Sequence, residues 1–388
     1  MPERSLVFPP EEFRDRTRRL QAAMAESGLD ALLLTTPADI FYVTGFLTRF
    51  WESPTRPWFV VVPASGDPIA VIPAIGADLM GRTWLGDIRT WVSPAPEDDG
   101  VSLLAGTLRD TVAEGGRIGL PMGRETHLRM PLADHARVAA AIGARCFVEG
   151  TAPLHRVREV KSAREVAAIR EACAIAGRAF DRVPEIAAAG VPLDAVFRRF
   201  QAVLLEEGAD WVSYLAGGAG PGGYGDVISP AEPRALSQGD VLMLDTGAVR
   251  QGYFCDFDRN YSIGRADDAS RRAHAALFEA TEAALDALRP GMEAREAHDV
   301  MHRSLLSAGQ TPLGGRLGHG LGIALTEWPS LTDWDATPLR EGMVLTLEPG
   351  VEIAPGRIMV HEENLVLRAD GAELLSPRAP AELPVVGQ

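Results

Sequence analysis

The chain has 388 residues, 46% of them hydrophobic and 23% charged, and carries a formal net charge of −15. That length admits two domains with separate cores, and the composition excludes disordered and fibrous classes. An acidic balance without any Lys/Arg-rich stripe to neutralise phosphates excludes a nucleic-acid partner.

The stretch from Met1 to Arg19 lacks the apolar run of a signal peptide. No run of about eighteen apolar residues marks a membrane span, so the expected location is cytoplasmic, with no membrane partner. Cys146, Cys173 and Cys255 are widely spaced and form no CxxC, which reads as three buried free thiols in a reducing compartment.

Phe13, Thr17, Leu20 and Met24 share one helical face, and Gly28 supplies the stop. The apolar run Ala31–Leu34 reads as a buried strand. Trp58–Val62 and Ile69–Ile72 follow as strands joined through the turn-forming Ala64-Ser65-Gly66-Asp67, and Ile118–Leu120 and Cys146–Val148 complete the set. Helical segments between them point to an α/β domain over residues 1–155. Ser162 and Glu165 then form an S-x-x-E capping box ahead of a long amphipathic helix. Strands at Val241–Asp245, Val344–Glu348 and Glu363–Leu367, with helices near 193–207, 268–288 and 293–308, build a second domain over residues 156–388.

Five residues of metal-ligand type lie in order through this second half: Asp245, Asp256, His319, Glu348 and Glu363. Asp245 ends the apolar run Val241–Leu244, and Asp256 sits between Phe254 and Phe257; carboxylates embedded in such strands need compensating positive charge. Gly247 and Gly252 between the two Asp fit antiparallel strands joined by a turn, which brings both side chains to one ion. His319 stands between Gly318 and Gly320, where backbone approaches closely, and Glu348 ends a strand before Pro349-Gly350. Four carboxylates and one imidazole suffice for two divalent ions that together activate a water and polarise a substrate oxygen. An oxygen-rich set with a single His suits Mn, Fe, Co or Zn.

The order, frames and ligand types resemble the creatinase/prolidase/aminopeptidase P family of pita-bread (M24) metallopeptidases. Arg158, Lys161, Ser162 and Glu165 match that family's R-x-x-K-S-x-x-E entrance to the catalytic domain, and residues 21–46 resemble its N-terminal domain. The resemblance implies an α/β N-terminal domain plus an α+β pita-bread catalytic domain. It implies that Asp245 holds one ion, that His319 and Glu348 hold the other, that Asp256 and Glu363 bridge, and that Glu348 shuttles protons. It also implies a homodimer.

The family's catalytic histidines are missing. Thr326 opens Thr326-Glu327-Trp328-Pro329 where the peptidases carry H-E-x-P, and Gly315 stands where a His precedes the ligand His by four residues. Residues 222–230 lack the His that normally precedes the first Asp, and His361 occupies the place of an Arg two residues before the final Glu; His361 joins Glu348 and Asp258 as a catalytic candidate. Asp258 and Asn260 replace the threonines of D-x-T-R-T, while Arg259 is retained; Asp258 is expected to pair with Arg259. In homodimeric relatives the loop matching residues 44–59 reaches over the partner's site. Here Trp51 and Trp58 would box a cation or ring, and Arg49 or Arg56 would clamp a carboxylate. Thr326 and Trp328 are further substrate-binding candidates.

The expectation is a dinuclear-metal hydrolase resembling Xaa-Pro dipeptidase or aminopeptidase, acting on a dipeptide or a small amino-acid-like or zwitterionic compound. One alternative is pita-bread lyase chemistry with Asp258 as the base, or a creatinase-like amidinohydrolase. Another is a catalytically silent binding protein.

Overall fold

The computed structural model describes residues 7–52 and 56–387, and the chain divides into two compact units, Met1–Arg158 and Glu159–Gln388. No helix among the described residues is long and apolar enough to cross a membrane.

The first unit runs α1 (Pro10–Glu26), β1 (Ala31–Leu34), α2 (Pro37–Thr44), β2 (Phe59–Pro63), β3 (Ile69–Pro73), α3 (Ala77–Met80), β4 (Asp87–Trp91), α4 (Val101–Thr111), β5 (Arg117–Leu120), α5 (Leu132–Ala141), β6 (Cys146–Glu149) and α6 (Thr151–Glu159). Its strands form one six-stranded sheet in the order β4-β3-β2-β1-β5-β6. β1 pairs antiparallel with β2, and β2 with β3; the remaining pairs are parallel. The central strands are apolar without alternation because both faces are covered: all four residues of Ala31–Leu34 are buried. Trp58, expected inside a strand, precedes β2 by one residue, within the usual latitude of strand ends. Cys146 corrects the expectation of three buried thiols: it opens edge strand β6 and is exposed, while Cys173 and Cys255 are buried.

The second unit begins with α7 (Ala163–Asp181) and α8 (Leu193–Glu206). Both arms of the capping box form: the Glu165 N–H donates to Ser162 Oγ at 3.2 Å and the Ser162 N–H to Glu165 Oε2 at 3.0 Å. Then come β7 (Trp211–Pro221), β8 (Asp240–Arg250), β9 (Tyr253–Phe254), β10 (Phe257–Ile263), α9 (Asp268–Ala287), α10 (Ala294–Ser307), β11 (Thr311–Pro312), β12 (His319–Gly320), β13 (Glu327–Ser330), β14 (Val344–Leu347), β15 (Gly350–Ala354), β16 (Arg357–Val360), β17 (Glu363–Arg368), β18 (Gly371–Leu374) and β19 (Val385–Val386). One sheet has the order β19-β10-β8-β7, with β9 on β8; another has the order β13-β12-β14-β17-β18, and β11-β15-β16 form a third. Ala273, Leu277, Ala280 and Ala284 of α9 and Ala297, Met301 and Leu305 of α10 pack into one core with Leu345, Leu347, Leu365 and Leu367 of β14 and β17. Small residues on the helices let them approach the strands closely.

Candidate metal centre

One cavity of about 360 Å³ in the second unit is lined by Asp245, Asp256, His319, Glu348 and Glu362, together with Tyr214, Arg316, Thr326 and Val360 among others. β8 presents Asp245, opposite Asp258 of β10 in register. Asp256 lies in the short link between β9 and β10, where Asn364 holds its backbone: the Asp256 N–H donates to Asn364 Oδ1 at 2.9 Å, and Asn364 Nδ2 donates back to the Asp256 carbonyl.

His319 stands on a two-residue strand, between two glycines that the geometry demands. A Cβ at Gly318 would collide with the Thr346 carbonyl oxygen of β14, and one at Gly320 with the Trp328 carbonyl of β13. Crowding from both neighbouring strands thus fixes the imidazole. His319 Nδ1 lies 2.8 Å from the Gly320 carbonyl oxygen, which can only accept, so that nitrogen carries the proton. Nε2 is left to face Asp256 Oδ2 at 3.4 Å and Glu348 Oε2 at 3.6 Å. This is the arrangement in which a backbone carbonyl sets the tautomer of a metal-ligating imidazole.

Glu362, not Glu363, joins this group. One ligand atom each from Asp256, His319 and Glu362 all lie within 4.8 Å of one another. The pairing of β14 with β17 explains the difference. Leu347 is opposite Glu363 and Leu345 opposite Leu365, and these leucines belong to the helix-packed core. Odd-numbered positions of β17 therefore point into the core, and the even-numbered ones share a face with Thr346. A slip of one residue moves a side chain to the other face. Glu363, 0% exposed, accepts from Arg259 Nη2 at 3.0 Å, Arg378 Nη1 at 2.9 Å, the Ala379 N–H at 2.9 Å and the Ser376 hydroxyl. It is a neutralised structural carboxylate. Glu362 has no such neighbours, and its Oε1 is buried without a hydrogen-bond partner.

Three further expectations are corrected. Arg259 does not pair with the Asp258 carboxylate; its guanidinium binds Glu363 and the carbonyls of Asp258 and Glu362. Asp258, fully buried and off the cavity wall, instead accepts the Glu362 N–H at 2.8 Å. His361 is also off the wall: Arg378 Nη1 donates to its Nε2 at 2.9 Å, and burial with Arg259, His274 and Arg378 nearby pushes the imidazole well below its ordinary value. It is a neutral structural acceptor, and the position two residues before Glu362 is the apolar Val360. Trp58 is 3% exposed, with its ring centroid 5.2 Å from Phe46 and 5.6 Å from Trp51, so it is a core side chain of the first unit and cannot box a ligand.

Of the other substrate-binding candidates, Thr326 lines the cavity. Trp328 does not; its indole N–H donates to Thr337 Oγ1 at 2.9 Å. Within the first unit the Trp51 ring lies 5.2 Å from the Arg129 guanidinium, the Arg56 guanidinium lies 5.4 Å from the Phe50 ring, and Arg49 is exposed. Residues 53–55 of that loop lie outside the described residues.

The electrostatics of the cavity call for a cation. Burial first, then neighbouring carboxylates, push Asp245 and Glu362 well above the ordinary carboxylate range, and burial raises Asp256 as well. Buried Asp245 Oδ1 and Glu362 Oε1 have no hydrogen-bond partner, whereas buried polar atoms are normally satisfied. Carboxylates crowded without compensation repel one another, and divalent ions would supply the missing partners. The donor set therefore fits a metal centre.

Two contributors were not legible in the sequence. Tyr214 on β7 donates its hydroxyl to Asp245 Oδ2 across the sheet. Arg316, three residues before His319, places Nε 3.3 Å from Glu348 Oε1. No local pattern announces either. Glu362 did carry a signal: Leu365 and Leu367 mark the core face, so the even-numbered positions belong to the other.

The chain is similar to known metallopeptidases. The sequence profile of metallopeptidase family M24 matches residues 167–369, and that of the creatinase/prolidase N-terminal domain matches residues 16–160. The chain is 29% identical over 385 residues to the probable dipeptidase PepE of Mycobacterium tuberculosis, covering 98% of each chain. It is 23% identical over 372 residues to an Xaa-Pro dipeptidase of Pyrococcus furiosus, covering 94% of this chain and 98% of that one. The crystal structure of dipeptidase PepE from Mycobacterium ulcerans superposes with a TM-score of 0.85 at 29% identity, covering 98% of this chain and all of that one.

Proposed function

The chain belongs to metallopeptidase family M24, and from that membership and the cavity we propose that it is a two-metal dipeptidase of the prolidase type. The observation that carries the reading is the convergence of Asp245, Asp256, His319, Glu348 and Glu362 on one cavity, with buried carboxylate oxygens that no protein group satisfies. A cavity of about 360 Å³ sits at the small end of ligand pockets, roughly 300–1,000 Å³, and suits a dipeptide-sized substrate rather than a long peptide.

Asp245 would hold one ion, His319 and Glu348 the other, and Asp256 and Glu362 both. When bound, such a pair lowers the pKa of a water and polarises a carbonyl. The chain's own residues do the rest. Tyr214 orients Asp245, the Gly320 carbonyl holds the proton on His319 Nδ1 so that Nε2 faces the cavity, and Asp258 fixes the backbone of Glu362. Glu348, on the wall and 22% exposed at its side chain, takes the proton from the attacking water and returns it to the leaving nitrogen. Thr326 offers a hydroxyl on the cavity wall. An elimination with Asp258 as base is disfavoured, since that carboxylate is fully buried, is off the cavity wall and is engaged with the Glu362 N–H.

Manganese-loaded protein should release free amino acids from a panel of Xaa-Pro and other dipeptides, and Glu348→Gln should lower that rate by about a hundredfold or more. A preparation holding two ions per chain that cleaves no dipeptide in the panel overturns the reading.

A further inference from the structure

We propose that His298 and His302 form a metal site on the flank of α10, chelating one late first-row divalent ion such as nickel, copper or zinc. The inference is independent of the cavity reading, because no residue lining the cavity belongs to α10. Ala297, Met301 and Leu305 recur every fourth residue along α10 and lie in the core. His298 and His302 each follow one of these by a single residue, so both project from the edge of the buried stripe, one turn apart. Side chains so related have Cβ atoms about 5–6 Å apart. The two rings keep that spacing: their centroids are 5.6 Å apart and their planes are inclined by 14°. A ring nitrogen binds such an ion at about 2.0–2.1 Å, which puts the ion roughly 3.2 Å from the ring centre and limits two imidazoles on one ion to a centroid separation of about 6.4 Å. The observed spacing lies inside that limit.

Asp299 supplies a second, independent observation. His298 Nδ1 lies 3.3 Å from Asp299 Oδ1. An ionised carboxylate only accepts, so Nδ1 carries the proton and Nε2 keeps its lone pair. A carboxylate behind the far nitrogen is the usual companion of a metal-binding imidazole, where it fixes the tautomer and raises the basicity of the ligating nitrogen. Among the described residues no hydrogen bond engages His298 Nε2 or either ring nitrogen of His302. The backbone beneath the pair is rigid: α10 has 14 residues, and its capping box is closed by the Glu293 N–H donating to Glu296 Oε2 at 2.7 Å. His298 is 11% exposed at its side chain and His302 is half-buried, which restricts both rings while leaving one side open. Imidazole nitrogen suits nickel, copper and zinc, and manganese stands at the weak end of the divalent affinity order. Manganese loading of the cavity therefore leaves this pair open. Two protein donors leave the remaining coordination positions to water.

Nickel titration of tag-free, manganese-loaded protein tests the site, with calorimetry for affinity and elemental analysis for both metals. Wild type should take up one nickel per chain while retaining its manganese. His302→Asn should weaken nickel binding by about tenfold or more, since one of two donors is lost, with manganese content and the unfolding midpoint unchanged. Asp299→Asn keeps both rings, alters a side chain that is 55% exposed, and should weaken binding by a smaller factor of about three- to tenfold. Wild type that takes up no additional nickel, uptake matched by an equal loss of manganese, or unchanged affinity in His302→Asn overturns the site. Unchanged affinity in Asp299→Asn beside weakened His302→Asn removes the carboxylate's part alone. Should His302→Asn fold poorly, Asp299→Asn decides the matter, and wild-type affinity there overturns the proposal.

Discussion

Glu362 and Glu363 are adjacent in the chain and serve opposite faces of the β17 segment: Glu362 faces the cavity with Asp256 and His319, while Glu363 is enclosed by Arg259 and Arg378 on the core side. Both carboxylates are buried, one on the cavity wall and the other bound by guanidinium groups. On the proposed function, the two would separate metal binding from folding within one dipeptide.

Substitution of each should give different phenotypes. Glu362→Ala should leave the fold intact and remove most bound metal, measured by elemental analysis after manganese loading. Glu363→Ala strips a buried partner from two arginines and should destabilise by about 3–5 kcal/mol in denaturant titration. Full metal retention in Glu362→Ala at wild-type stability would reverse the assignment.

Lys161 and Glu327 form a buried pair at 3.2 Å, and Glu327 Oε1 also accepts the N–H groups of Ile323 at 3.0 Å and Ala324 at 3.1 Å. The pair thereby shapes the turn that carries Leu325 and Thr326 to the cavity. Lys161→Met should cost about 3–5 kcal/mol, because the carboxylate loses its counter-charge in a buried place. A melting temperature unchanged from wild type would show that water replaces the lysine.

Trp58 should behave as a core residue. Trp58→Ala is expected to cost about 3–5 kcal/mol, since the ring fills the space beside Gly76, Phe46 and Trp51. Chemical denaturation reads this directly. Wild-type stability combined with a raised KM would return Trp58 to the substrate-binding set.

His274 gives a pH dependence. Burial pushes its imidazole below the ordinary value, with Arg259 and Arg378 acting in the same direction and the Pro380 carbonyl, 2.9 Å from Nε2, opposing. The unfolded chain binds a proton first as pH falls, near pH 6.5. The stability contribution is therefore complete above that pH and is lost as pH falls toward the folded value. His274→Gln keeps a donor for the carbonyl and should flatten the stability–pH curve below about pH 6.5, by at most about 1.4 kcal/mol per pH unit. Parallel curves for the two proteins would show that His274 does not titrate in this range.

Local pattern was enough for much of this protein. The apolar run Ala31–Leu34, the Ser162/Glu165 capping box and the amphipathic periods of α8, α9 and α10 specify elements through neighbours in sequence. Asp245, Asp256, His319 and Glu348 stood out because each sits in a Gly-rich or strand-rich frame where an ordinary surface carboxylate or packed imidazole would not. What only the tertiary structure decided was which side chain of a close pair faces which environment. Strand pairing chose Glu362 over Glu363, guanidinium groups arriving from β10 and the chain after β18 claimed Glu363, and close packing drew Trp58 into the core. Tyr214 and Arg316 reach the cavity from β7 and from the approach to β12, and their partners are distant in sequence. Side-chain direction in a strand alternates with every residue, so an identity read from a motif fixes the chemistry, but only the register across strands fixes where that chemistry is delivered.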